Sequence, residues 1–241
     1  MEYRENILFD TPKLGAVLVA AGSSRRMGGV DKLFLPLLGV PVLARTLLAF
    51  ERCDLVSEIV VVTKEESVEK VKALAEEYGV TKLKAVVLGG RERADSVKNG
   101  VLALGDDMEF VAIQDGARPL VKPEEIARCA GDAFRYGGAI LAVPAVDTIK
   151  YGKKNGTVEY TLTREKLFAV QTPQIFEKAA YLAAMERALS ERRDWTDDSQ
   201  YFENDGRKVF LSTGSRRNIK ITEPEDVLIA EAFLRAEEEG K

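Results

Sequence analysis

Histidine is absent from this chain of 241 residues. That excludes a Ser-His-Asp triad, a Cys-His pair, an HExxH zinc site and any imidazole proton shuttle. Cysteine is scarce: Cys53 and Cys129 are the only two, too few for a disulfide framework or a Cys-rich metal site. No apolar run reaches the ~18 residues of a membrane span. Neither sign of charge dominates. Thirty-five Lys and Arg stand against thirty-nine Asp and Glu, a net charge of −4, which argues against a mainly electrostatic partner of nucleic acid or membrane surface. Internal repeats, low-complexity stretches and Pro/Ser-rich linkers are also lacking. The chemistry is left to Lys, Arg, Asp, Glu, hydroxyls, backbone groups or a hard cation bound by carboxylate.

What is present has the balance of a soluble globular protein, 46% hydrophobic and 31% charged, long enough to bury a core without staples. Leu14–Ala21 is apolar, but Glu2, Glu5 and Asp10 beside Arg4 and Lys13 make a poor signal-peptide flank. The run reads as a buried first strand, and the expected location is the cytoplasm. Leu14–Ala20, Ile59–Val62, Ala85–Leu88, Phe110–Ile113 and Ala139–Val143 read as strands covered on both faces. Helical patterns fall between them: around Leu43, Leu47 and Phe50, then Glu65–Tyr78, Arg91–Leu104 and Pro123–Tyr136, with a last helix after Thr222-Glu223-Pro224-Glu225. Thr63 with Glu66 makes a capping box for the second of these. The expected fold is α/β, a doubly wound, mostly parallel sheet flanked by helices, with ligands on the rim beyond the strand ends.

Val146–Leu162 breaks this rhythm. Its β-rich flanks surround Lys154-Asn155-Gly156, a hairpin signal; the adjoining Asn155-Gly156-Thr157 sequon reads as part of that turn. A hairpin leaving an α/β domain cannot easily bury both faces alone, so it is expected to project and pair with a second subunit. The economical reading of residues 1–241 is one domain with an arm at about 146–162.

Ala20-Ala21-Gly22-Ser23-Ser24-Arg25-Arg26-Met27-Gly28-Gly29 follows the first strand, with Lys32 soon after. Small residues let backbone N–H groups approach an anion. The spacing is not Walker A, since no Lys-Ser/Thr follows Gly28, and Ser24 occupies the second glycine's place of a GxGxxG fingerprint. Small residues, paired arginines and a lysine suit a nucleoside triphosphate.

Further segments follow in order. They are Gly89-Gly90-Arg91-Glu92-Arg93-Ala94-Asp95-Ser96-Val97, Gln114-Asp115-Gly116-Ala117-Arg118-Pro119, Ala142-Val143-Pro144 with Asp147-Thr148-Ile149-Lys150, Thr163-Arg164, Gln171-Thr172-Pro173-Gln174, Thr196-Asp197-Asp198, and Asn218-Ile219-Lys220-Ile221-Thr222 with Pro224-Glu225-Asp226. With the glycine-rich loop, this series resembles the cytidylyltransferases among the nucleotidyltransferases. The best match is the family acting on 2-C-methyl-D-erythritol 4-phosphate in the non-mevalonate isoprenoid pathway, from about Gly15 to Leu234. Three positions depart from the family pattern: Gln114 stands where His is usual, Phe34 near a place often held by Gln-Tyr, and Arg91 where an acid is common. Met1–Pro12 looks like an additional N-terminal segment.

The resemblance implies that CTP and a small polyol phosphate are joined with release of pyrophosphate. Arg26, Lys32 and Arg164 would be catalytic, the first two on the triphosphate and its α-phosphorus. Ala20, Ala21, Gly22, Gly89, Gly90 and Ser96 would bind the nucleotide. Asp115, Arg118, Thr148, Thr172, Thr196 and Lys220 would serve the acceptor, Thr148 and Arg164 reaching a neighbouring subunit's site in a homodimer. Mg²⁺ would be the cofactor, held mostly by the triphosphate with support from Asp115. A ribitol 5-phosphate or other alditol phosphate transferase, and a non-catalytic CTP-binding regulatory module, stay open as alternatives. Trp195, Cys53 and Cys129 read as packing residues.

Overall fold

The computed structural model describes residues 11–22, 31–191 and 195–240. The first strand, β1 (Leu14–Val19), leads through a short 3₁₀ turn at Lys32–Phe34 to a small ribbon of β2 (Pro36–Leu37) and β3 (Val40–Pro41). Then come α1 (Val42–Glu51), β4 (Val56–Thr63), α2 (Val68–Glu77), β5 (Leu83–Leu88), α3 (Arg93–Ala103), β6 (Phe110–Asp115), α4 (Pro123–Tyr136) and β7 (Gly138–Pro144). The hairpin strands are β8 (Lys150–Gly152) and β9 (Val158–Thr161). The chain ends with β10 (Phe168–Glu177), α5 (Lys178–Ser190), α6 (Ser199–Asn204), β11 (Phe210–Thr213) and α7 (Pro224–Glu238).

Seven strands form the main sheet in the order β11-β7-β10-β6-β1-β4-β5. Every neighbouring pair is parallel except those made by β10, which runs antiparallel to both β6 and β7. The sheet is therefore mostly parallel and doubly wound, as the strand–helix alternation requires. Alternation along β1 shows both faces covered. Ala16 and Leu18 pack with Leu43, Leu47 and Phe50 of α1 and Ile126 and Ala130 of α4. Val17 packs on the other face with Val97 and Val101 of α3 and Tyr181 and Met185 of α5. The apolar stripe of α4 needs no special account: Pro123 opens its first turn and Gly137, at φ 84°, closes it in the left-handed conformation that glycine tolerates.

Two local expectations change. The Thr63–Glu66 capping box does not form, because β4 runs through Thr63, which pairs with Leu88 of β5 and accepts the Gly89 N–H at 2.9 Å. Sheet pairing thus claims the residue, and α2 starts only after a 3₁₀ turn at Glu65–Ser67. The hairpin does form, but Asn-Gly is not a two-residue turn. Lys153 donates its N–H to the Thr157 carbonyl at 2.9 Å across a three-residue loop, and Gly156 alone takes positive φ, 84°. Its strands form a separate two-stranded sheet, and residues 146–161 are all exposed. Among the described residues no helix is long and apolar enough to cross a membrane.

Candidate active site

The parallel strands end on one rim. There β1, β6 and the start of α3 enclose a cleft of about 610 Å³, lined by Ala20, Ala21, Gly22, Lys32, Gly90, Arg93, Ser96, Asp115 and Lys220 among others. Beside it lies a second recess of about 440 Å³ with Arg118, Gln171, Thr172, Thr196 and Asp197 in its wall. Arg93, Asp115 and Lys220 line both.

The cleft's backbone walls are fixed by close approach. A Cβ at Gly89 would stand 2.7 Å from the Ala21 Cβ, so glycine lets the two loops meet. The Ser96 hydroxyl accepts the Gly90 N–H and donates to the Glu92 carbonyl, both at 3.0 Å. Buried and doubly engaged, Ser96 braces the loop on which Gly89 and Gly90 lie. Asp31 starts the 3₁₀ turn that carries Lys32, its Oδ1 accepting the Leu33 N–H at 3.2 Å. From there Lys32 Nζ donates to the Ile221 carbonyl at 2.6 Å, next to Lys220.

The acceptor recess owes its shape to β10. Pairing with β7 breaks between Val170 and Gln174, and in that gap Gln171 and Thr172 line the recess. Gln171 donates to the Ser215 carbonyl at 2.7 Å, Asn218 donates to that of Thr172 at 3.0 Å, and Arg118 donates to that of Asn218 at 2.7 Å. Thr172 also takes the Asp115 N–H at 3.1 Å.

One carboxylate sits among three cations. Asp115 Oδ2 is 3.0 Å from Lys220 Nζ and 3.5 Å from Arg118 Nε, and Oδ1 is 4.0 Å from Arg93 Nη2. Burial pushes the Asp115 carboxyl up, but Lys220, Arg93 and Arg118 together outweigh it and hold it below the usual range. Asp198 behaves oppositely: complete burial raises it despite Arg93 and the Tyr181 hydroxyl. Burial, reinforced by Asp198, pushes the Tyr201 hydroxyl up to about 12.

A family model described as 2-C-methyl-D-erythritol 4-phosphate cytidylyltransferase matches residues 14–236. The chain belongs to this family. It is 45% identical over 228 residues to the 2-C-methyl-D-erythritol 4-phosphate cytidylyltransferase of Dehalococcoides mccartyi, covering 95% of this chain and 99% of that one. The enzyme of that name from Pelotomaculum thermopropionicum is 43% identical, over 93% of this chain and 95% of its own. The crystal structure of 4-diphosphocytidyl-2C-methyl-D-erythritol synthase from Anaerococcus prevotii superposes with a TM-score of 0.85 at 31% identity, covering 94% of this chain and 97% of that one.

For this member of the cytidylyltransferase family, the sequence-predicted site divides in three. Ala20, Ala21, Gly22, Lys32, Gly90, Ser96, Asp115 and Lys220 converge on the first cleft, with Gly89 adjoining it, and Arg118, Thr172 and Thr196 converge on the second recess. Arg26, with the rest of the loop from 23 to 30, lies outside the described residues, as do residues 1–10. Thr148 and Arg164 are exposed where the arm meets the domain, and Arg164 donates to the Val146 carbonyl at 3.3 Å; neither lines either of these two recesses. Trp195 packs against Tyr201, ring centroids 5.5 Å apart, in keeping with a packing role.

Sequence reasoning passed over Arg93 and Asp198. Both lie in motifs it singled out, but Nη1 and Oδ2 meet at 2.7 Å only through the fold. Among the described residues no three metal-ligating side chains gather. The cleft is lined by two carboxylates, Asp115, already facing Lys220 and Arg118, and Glu92, a donor set that fits an ion carried mainly by phosphate oxygens rather than a protein cage.

Proposed function

We propose that this chain transfers the cytidylyl group of CTP to 2-C-methyl-D-erythritol 4-phosphate, giving 4-diphosphocytidyl-2-C-methyl-D-erythritol and pyrophosphate. The observation that carries this is the sharing of Arg93, Asp115 and Lys220 between two adjoining recesses. The glycine-lined cleft suits the nucleotide, and the recess of Arg118, Thr172 and Thr196 suits a small polyol phosphate.

An oxygen of the acceptor phosphate forms a bond to the α-phosphorus of CTP. The bond from that phosphorus to the bridging oxygen breaks, and pyrophosphate leaves with the electron pair. The nucleophile is already an anion at neutral pH, so a chain without histidine lacks nothing it needs. The difficulty is bringing one anion up to another, and catalysis is in-line positioning with charge stabilisation. Lys32, together with Arg26, neutralises the triphosphate and the charge that builds at the α-phosphorus. Arg118 and Lys220 hold the acceptor phosphate, while Asp115 keeps those two cations aimed. Mg²⁺, held mainly by the triphosphate with Asp115 as the supporting carboxylate, would supply further charge neutralisation and help orient the leaving group.

The chain is read as a single nucleotidyltransferase domain working in the cytoplasm, with the hairpin as the arm of a homodimer. Exposed Val146, Tyr151, Val158 and Tyr160 support that reading, with the Tyr151 and Tyr160 rings stacked at 4.9 Å. A partner's Thr148 and Arg164 would then complete each acceptor recess.

Pyrophosphate release from purified protein with CTP and Mg²⁺ is the direct test, comparing 2-C-methyl-D-erythritol 4-phosphate with ribitol 5-phosphate. Release with the first alone is expected. Release only with the second would keep the mechanism and overturn the acceptor. CTP binding without release from either would favour a non-catalytic module.

A further inference from the structure

Arg93 is gripped from behind. Its Nη1 lies 2.7 Å from Asp198 Oδ2, and Asp198 Oδ1 accepts a 2.7 Å hydrogen bond from the Tyr181 hydroxyl. Asp198 and Tyr181 are both 0% exposed, whereas the Arg93 side chain is 39% exposed. The grip therefore lies in the interior and the gripped group reaches the surface of the cleft. Arg93 Nη2 faces Asp115 Oδ1 at 4.0 Å, too far for a tight pair. One edge of the guanidinium is committed to a buried carboxylate. The other looks onto the place where the two recesses join.

A buried carboxylate is costly, and an apolar side chain commonly serves packing better. Asp198 sits beside the aromatic cluster of Phe176, Tyr181, Tyr201 and Phe202, where such a side chain would fit by character. What the carboxylate adds is direction. It fixes a planar cation whose remaining edge can form two parallel N–H···O bonds to a phosphate. Without it, the nearest anion drawing the guanidinium would be Asp115, and Arg93 would turn away from an incoming substrate.

We propose that Tyr181 and Asp198 are positioning residues that hold Arg93 as a phosphate-binding arm in the wall common to both recesses, where the acceptor phosphate meets the α-phosphate of the nucleotide. The inference rests on the cytidylyltransferase reading and adds three residues to it. It also ties the start of α3, the helix α5 and the segment that carries Thr196 into one unit.

A double-mutant cycle tests it, since a residue acting through Arg93 has nothing left to do once Arg93 is replaced. Kinetics with each substrate varied would be measured for Asp198→Asn, Arg93→Gln and the pair, alongside thermal melting. Asp198→Asn is expected to lower kcat/KM for the acceptor on the order of 10- to 100-fold, the scale of a misplaced binding group. In the Arg93→Gln background it should cost nothing further. Independent losses that multiply would overturn the proposal, as would full activity in a folded Asp198→Asn chain. Tyr181→Phe removes only a hydroxyl and supplies the same cycle if Asp198→Asn does not fold. A merely structural role would lower the melting temperature and leave kcat/KM of the folded protein and the cycle flat. Calorimetric binding of 2-C-methyl-D-erythritol 4-phosphate to the same variants needs no turnover. Coupling there in an inactive chain would sustain this inference while the transferase reading failed, and independent effects there would overturn it.

Discussion

Lys220 Nζ stands 3.0 Å from Asp115 Oδ2, joining the end of β6 to the segment between β11 and α7. With Arg118 on the same carboxylate, and Arg93 held between it and the buried Asp198, the rim carries three positive groups and two negative ones. The surplus faces the recesses, and the carboxylate keeps the cations from flying apart before substrate arrives.

Acid should therefore weaken the fold through Asp115. Its folded pKa is depressed below the ordinary value of about 3.9 that it regains on unfolding. The ionised form contributes stability that is fully present above that unfolded value and is lost as pH falls through the folded one. Urea titrations from pH 7 to about pH 2 on the native chain and Asp115→Asn should show the native chain's advantage shrinking below about pH 4. A difference that stays constant throughout would contradict the assignment.

Lys32→Ala should keep the fold and lose on the order of 10²–10³ in kcat, the usual cost of one contact to developing charge. The ammonium donates to the Ile221 carbonyl at 2.6 Å in the wall of the cleft, and the fold should survive its removal. Steady-state pyrophosphate release decides it, and undiminished turnover would remove Lys32 from the mechanism.

Gln114 offers a gain in stability. It lies opposite Leu18 in the β1–β6 pairing, is fully buried, and neither polar atom of its side chain has a hydrogen-bond partner among the described residues. Stranding such groups costs about 1–3 kcal/mol, and an apolar side chain of the same shape removes that cost. Gln114→Met should raise the urea midpoint by the equivalent of about 1 kcal/mol. A lower midpoint would show that the amide contributes something the hydrogen bonds do not reveal.

The parallel strands and their covering helices are legible in the sequence because each is apolar on a simple period. Strand β10 is not: Gln171-Thr172-Pro173-Gln174 stands out only as a motif with no apolar period, yet it lies in a central strand whose pairing with β7 skips Gln171, Thr172 and Pro173. Helix α5 follows immediately and went with it, and β11 is short and largely exposed. Thr63 shows the converse, a local cap signal overruled by a longer-range ladder. In the site, the glycine loops and the cations of the motifs are legible as residue types at fixed order. The Arg93–Asp198 pair is not, because its geometry exists only once α3, α5 and α6 share one core.

Removing the Lys153–Gly156 tip should weaken dimerisation and activity together if each recess borrows the partner's Thr148 and Arg164. Sedimentation and turnover on the same preparation test both. A fully active monomer would detach the arm from the chemistry.

The hydrogen bond from Lys32 to Ile221 spans 189 positions of sequence. During synthesis at about 5–20 residues per second, the lysine waits roughly 10–40 seconds before its acceptor is made. The glycine-rich loop is therefore made well before the anchor that aims its neighbouring cation. A nascent chain thus carries the glycines of both nucleotide loops well before the Lys220–Ile221 segment that completes the cleft, and competence comes with that segment rather than growing with length.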